Sequence, residues 1–174
     1  MNPKLAIKLL LALSMLKCMT SWGLISDNNQ LLHVTSNQAT IDFTAGQVIY
    51  SGNVAASQGS RHLSGNTLMV NKAKTGGAQD VTAYGNPAKT HYQPTPQSQI
   101  AYGQAQIITY IFPSHIFKFQ KEARLDQNNN IFTGPLIIYN TNTKVVHSPT
   151  NSLEPTTIIL PPYNQERAKN DSSS

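Results

Sequence analysis

Residues 41–70 read IDFTAGQVIYSGNVAASQGSRHLSGNTLMV, a run punctuated by four glycines. Gly46, Gly52, Gly59 and Gly65 fall six, seven and six residues apart, too close for helices to fit between them. Each interval is an alternating run with β-branched or aromatic residues, which is the pattern of a half-buried strand. Ile41 and Phe43 fall on one strand face, as do Val48 and Tyr50 beyond an Ala45-Gly46 turn. Leu68 and Val70 repeat the pattern.

The same reading extends outward from both ends. Lys74-Thr75-Gly76-Gly77 is a turn, and Val81 and Ala83 precede Tyr84-Gly85-Asn86-Pro87, where proline is expected to end the pairing. A polar loop from Gln93 to Gln99 leads to the most apolar strands. Ile108, Tyr110 and Phe112 share one face there, and Ile107, Thr109 and Ile111 the other. Phe117 and Phe119, the Asn128-Asn129-Asn130 turn, Ile131-Phe132, Ile137 to Tyr139 and a last strand over Thr156–Leu160 follow. No stretch after residue 23 has the period of an amphipathic helix. Many short antiparallel strands predict an all-β sandwich, jelly roll or barrel. Because Ile107 to Phe112 is apolar on both faces, one of them must meet something besides the domain core: an apolar ligand or a covering protein.

Composition agrees with a two-faced sheet. Charged residues are 12% of the 174, with 16 Asn, 13 Gln, 15 Ser and 16 Thr in their place. That charge fraction is about half the usual one, and hydrophobic residues at 39% still suffice for one core. One cysteine excludes a disulfide scaffold. The length fits a single domain, expected over residues 24–163 and followed by a polar disordered tail over 164–174.

Met1 to Gly23 reads as a cleavable secretory signal peptide. Lys4 and Lys8 precede the apolar run Leu9–Leu16, and Ser21 and Gly23 are the small residues before the expected cut. The run is too short to span a bilayer. Acylation at Cys18 is disfavoured by Lys17 directly before it. Removal of the segment takes Lys4, Lys8 and Lys17 away. The formal net charge thus falls from +5 to about +2, and no cysteine remains. The basic balance is therefore no argument for an acidic partner.

Catalytic and cofactor patterns are missing. His33, His62, His91, His115 and His147 show no metal-ligand spacing, and of the carboxylates only Glu122 and Asp126 are close in sequence. No serine sits in a nucleophile elbow, and no glycine-rich phosphate loop precedes a helix. Neither catalysis, a cofactor, a metal nor nucleic-acid binding is expected, since the basic residues are isolated.

Taken in order, Gly52-Asn53-Val54, Gln58-Gly59, the strand to Val70, Tyr84-Gly85-Asn86-Pro87-Ala88 and Ile158-Ile159-Leu160-Pro161 form a familiar set. The chain resembles the OstA-like family of periplasmic lipopolysaccharide transport proteins, the LptA group, from about Leu31 to Pro161. The resemblance implies a twisted β-jelly roll of about sixteen antiparallel strands, V-shaped in section, with an apolar interior groove that shields acyl chains. It implies lipopolysaccharide, through its lipid A moiety, as ligand, and inner-membrane LptC and outer-membrane LptD as partners. Like domains would join end to end by pairing sheet edges. The lipid-facing positions it implies are Leu32, His91, Tyr110 and Phe112; strand alternation adds Val34, Ile41, Phe43, Val48, Tyr50 and Phe119. The edge interfaces would be Leu32 and Val34 at one end and Ile158, Ile159 and Leu160 at the other. Lys121-Glu122 departs from the pattern by standing where a second Gly-Asn turn would be, and Asn66 stands where aspartate is common. The competing readings are a β-module that polymerises without carrying lipid, and a docking domain like the N-terminal domain of LptD.

Overall fold

The computed structural model describes residues 27–74, 76–93, 95, 97–149 and 154–162. The expected signal peptide, with Cys18, and the expected tail lie outside the described residues.

The described chain is one antiparallel sheet of ten strands. They are β1 (His33–Thr35), β2 (Gln38–Asp42), β3 (Gln47–Gln58), β4 (Arg61–Lys72), β5 (Ala78–Tyr92), β6 (Ala101–Ile111), β7 (Ile116–Gln127), β8 (Asn130–Asn140), β9 (Val145–His147) and β10 (Thr157–Ile159). Strands β3 to β8 pair in sequence order as a meander. The two ends of the sheet are each made of two short pieces. β1 and β2 both pair with β3, and β9 and β10 both pair with β8.

Strands expected to be many and short are instead six long ones, each broken once in its middle. The pairing register slips between Ser51 and Val54, Ser64 and Thr67, Tyr84 and Ala88, Gln104 and Ile107, and Gln120 and Ala123. These irregularities lie side by side, so together they draw a line of bulges across the whole sheet. A bulge bends its strand and sharpens the twist. Aligned bulges bend the sheet along one crease. Counted as half-strands, the six long strands and four short end pieces account for the roughly sixteen implied by the family resemblance.

The crease explains three misread signals. Gly52 and Asn53 have φ of 78° and 47° inside β3, so what reads as a hairpin turn is a bulge. Pro87 does not end a strand: β5 carries extra residues between Tyr84 and Ala88, then pairs again on both sides. Lys121 and Glu122, out of place as a turn, are the bulge of β7. Their φ values of 63° and 53° repeat the left-handed pair of Gly52-Asn53 with residues that favour it less.

Folding along the crease sets two half-sheets face to face. One half contains residues 47–51, 67–72, 78–84, 107–111, 116–120 and 136–140; its inner side presents Tyr50, Ile108, Tyr110, Phe117, Phe119, Ile137 and Tyr139. We call it the aromatic half. The other contains residues 54–58, 61–64, 88–92, 101–105, 123–127 and 130–133, with Val54, Ala56, Leu63, Ala88, Ala105, Ala123 and Leu125 turned inward at or beside the crease. We call it the alanine half.

The two halves are complementary in size. A folded sheet is thinnest at its crease, so alanine and glycine are what fits there, while rings from the opposite half fill the space beyond. Phe119 is 1% exposed and lies over Gly103, where any Cβ would collide with its ring and press Thr90 Cγ2 at 3.0 Å. Burying such a ring contributes about 1.5–3 kcal/mol. Gly103→Ala should therefore destabilise the protein by about 1–3 kcal/mol in denaturant unfolding. Adding Phe119→Leu should cost less in that background than in the wild type, and a Gly103→Ala chain of wild-type stability would contradict the packing.

Candidate functional site

The crease leaves the folded sheet open along the opposite side, where the strand tips and turns lie. The inner surface between the halves is apolar from one sheet edge to the other. Val34 continues it on β1, paired with Ala56, and Val146 on β9, paired with Tyr139. Leu32, Tyr92, Phe112 and Phe132 pack against its margins. The arrangement is a trough with a creased floor and a mouth along the tips.

The mouth is shut by side chains that reach from one half to the other. Arg61, the first residue of β4, points in from the alanine half, and its Nη1 donates to the Tyr110 hydroxyl of the aromatic half. Its guanidinium carbon lies 4.5 Å from the Tyr110 ring centre and 5.7 Å from that of Phe112, which is a cation–π arrangement. Further along, Gln127 Nε2 donates to the Tyr139 hydroxyl at 2.8 Å. Between these bridges the rings of Tyr92 and Phe117 lie 6.3 Å apart, tilted by 51°. Burial holds the phenols of Tyr92, Tyr110 and Tyr139 above the ordinary tyrosine range, because a phenolate would be poorly solvated there. They are neutral donors and acceptors at any physiological pH. By the mouth lies a small cavity of about 30 Å³, lined by Leu32, Leu63, Tyr110, Phe112 and Phe117 among others. That is room for about one water molecule.

The residues expected inside are placed as follows. Val48, Tyr110 and Phe119 are buried on the inner face, Tyr50 is half-buried there opposite Leu68, and Phe112 stands edge-on to Tyr110 at 5.0 Å at the mouth. Leu32 and Val34 flank the trough at the β1 end. Ile41 pairs with Val48 and so faces the same side, yet it is 52% exposed because β2 is an edge piece with nothing laid over it. Phe43 is corrected: it lies beyond β2 in the turn, 84% exposed, with Lys72 Nζ 5.8 Å from its ring centre. At the other end Ile158, Ile159 and Leu160 are at least half exposed on or just after β10, which pairs with β8.

His91 is corrected too. Thr90 is buried in the core side of β5, so alternation turns His91 outward. It stacks on His62 at 4.2 Å and 17° and lies 6.2 Å from Tyr102, in a concavity of about 590 Å³ on the outer face of the alanine half. His33, Lys89, Arg124 and Asp126 also line that concavity, the last two joined by two 3.1 Å hydrogen bonds. Partial desolvation, and then the neighbouring His62, hold the His91 imidazole below its ordinary value of 6.5. Arg61, Phe117, Gln127 and Tyr139 are the site residues that sequence reading missed. Alternation from Leu63 would have turned Arg61 inward, but an arginine beside a turn glycine reads as solvated.

A sheet creased onto itself around an apolar trough, with both edges formed by short strands, defines a jelly-roll carrier scaffold. Among the described residues no cluster of three or more His, Cys, Asp or Glu side chains could hold a metal ion. The model of the family described as LptA/(LptD N-terminal domain) LPS transport protein matches residues 33–145. LptH of Pseudomonas aeruginosa, a lipopolysaccharide export system protein, is 30% identical over 126 residues, 72% of each chain. The export system protein LptA of Haemophilus influenzae is 24% identical over 163 residues, 92% of this chain and 94% of that one. LptA of Escherichia coli K12 is 28% identical over 140 residues, 78% and 74% of the two chains. The crystal structure of P. aeruginosa LptH, described as a periplasmic component of the lipopolysaccharide transport device, superposes with a TM-score of 0.71 at 27% identity, covering 79% of this chain and all of that one. The chain belongs to the LptA/LptD N-terminal-domain family of lipopolysaccharide transport proteins.

The lowered His91 value carries a sign. Folding favours the neutral imidazole, so the folded chain binds fewer protons than the unfolded one below the ordinary value, and stability falls as pH drops through that window. Melting temperature should decline between about pH 7 and about pH 5, and less steeply in His91→Gln. Identical slopes for the two proteins would contradict the stacked, partly desolvated pair.

Proposed function

We propose that this chain is a periplasmic lipopolysaccharide carrier: the trough shields the acyl chains of lipid A between the inner and outer membranes. The observation that carries the reading is the predominantly apolar inner surface that runs from Val34 at one sheet edge to Val146 at the other. Each CH₂ removed from water contributes about 0.8 kcal/mol, so a continuous trough binds acyl chains without needing a specific catalytic group. The sugars remain in water outside the mouth. No chemical step is required, and the protein acts as a non-enzymatic bridge.

Chains must enter a space that is nearly full in the closed form. Binding therefore requires the halves to part at the mouth, with Tyr110 and Tyr139 giving up their bridges. A passive carrier gains from this, because the closing contacts return as the lipid leaves and the net affinity stays low enough for hand-over. The edges β1/β2 and β9/β10 offer backbone groups to like domains, which fits end-to-end assembly of this chain and docking to LptC at the inner membrane and LptD at the outer one. Export through cleavage after residue 23 would deliver it to the periplasm. The small cavity is the one observation that favours the alternative, an edge-to-edge module carrying no lipid.

A photocrosslinking residue at Phe112, on the mouth, and another at Ile49, on the outer face of the aromatic half, separate the two readings. Lipopolysaccharide adducts should form from position 112 and not from position 49. Equal yields at both, or none at 112, would favour the module without cargo.

A further inference from the structure

Among the described residues, Arg61 is the one charged side chain that is buried, at 8% exposure. It occupies an inward position in line with Leu63, where a leucine or methionine would close the trough without the cost of desolvating a charge. Instead a guanidinium stands at the mouth. Nη2 donates to Gln58 Oε1 at 2.9 Å, Nη1 to the Tyr110 hydroxyl, and the plane lies against Tyr110 and Phe112. Asp27 sets a carboxylate beside it, with Oδ2 3.9 Å from Arg61 Nε. That carboxylate is engaged elsewhere: Oδ1 accepts from the Ser60 N–H at 2.9 Å, and Oδ2 from the Ser60 hydroxyl at 2.6 Å. Asp27 thus pins the entering chain across the β3–β4 turn and sets a negative charge beside Arg61 at the rim.

A lipid whose chains lie in the trough must place its first polar atoms at this rim. The guanidinium fork matches two oxygens of a phosphate, and such charge-assisted pairs are the stronger hydrogen bonds. We propose that Arg61 is the specificity residue of the trough, and that it recognises a phosphate ester on the head of the bound lipid. In the closed form the Tyr110 hydroxyl and the Asp27 carboxylate occupy the surroundings of the guanidinium. When the halves part, the Tyr110 hydroxyl leaves with the aromatic half while Asp27 stays pinned to Ser60, and phosphate oxygens take the hydroxyl's place on the Nη side of the guanidinium. This rests on the carrier reading and adds to it a preference for an anionic glycolipid over a neutral one with the same chains. It also gives the closed state a reason to keep a cation inside: the same group latches the empty trough and meets the cargo.

The test measures binding of lipid A and of its enzymatically dephosphorylated form, matched in acyl chains, to the wild-type protein, Arg61→Leu and Arg61→Lys. Wild type should bind the phosphorylated form about ten-fold or more tightly than the dephosphorylated one. The ratio should fall to near one in Arg61→Leu and be partly kept in Arg61→Lys, which retains the charge but not the fork. Circular dichroism and melting establish that each variant is folded. A wild-type ratio near one, or an Arg61→Leu ratio equal to that of wild type, overturns the assignment while leaving the carrier reading in place. Failure of wild type to bind either lipid overturns the carrier reading and this inference together.

Discussion

A single sheet that must bury one face with nothing but itself has few solutions, and the aligned bulges provide one. Every long strand of this chain bends at the same level, so the sheet creases and its two inner faces meet. Closing into a barrel would remove the edges; creasing retains them. Two features follow from this constraint: an interior that runs from edge to edge, and sheet edges that stay unclosed.

The crease also dictates side-chain size. Ala88, Ala105 and Ala123 are at most 2% exposed at its floor, where the two faces are nearest. Phe117, Tyr110 and Tyr139 stand farther out, and the polar atoms of Tyr110, Tyr139, Gln127 and Arg61 are reserved for the mouth. Hydroxyl bridges suit a mouth that opens. Water can replace each one as the halves part, so the net loss is about 0.5–1.5 kcal/mol for the neutral Gln127 bridge and about 1.5–3 kcal/mol for the charged Arg61 bridge. Apolar contact closes the trough, and these bonds set how it closes.

Period-two alternation made strands, inner residues such as Val48 and Phe119, and the all-β class legible in the sequence. What it could not separate is a glycine that turns the chain from one that bends it. Gly46 and Gly52 both have positive φ, yet the first ends a strand pair and the second lies inside β3. Across a bulge the inward parity can change, as from Leu63 to Leu68 in β4, so alternation extended through it assigns the wrong face. His91 failed for a different reason: the family resemblance carried it inward, whereas alternation from Thr90 places it outside. Phe43 failed because the strand ends at Asp42. Ile107, Thr109 and Ile111 form the outer side of β6, which explains why that run is apolar on both faces without all of it lining the trough.

If the halves part at the mouth to admit lipid, pivoting on the crease, the lips must move apart. This opening is tested most directly by the distance between the two rows of tips. Spin labels at Gln99, in the loop after β5, and at Ser114, in the turn after β6, sit on opposite lips, and both residues are exposed. In a Cys18→Ser background, double electron–electron resonance should show the separation lengthen when lipopolysaccharide is added. A distance distribution that stays unchanged while lipopolysaccharide is bound would contradict a trough that opens.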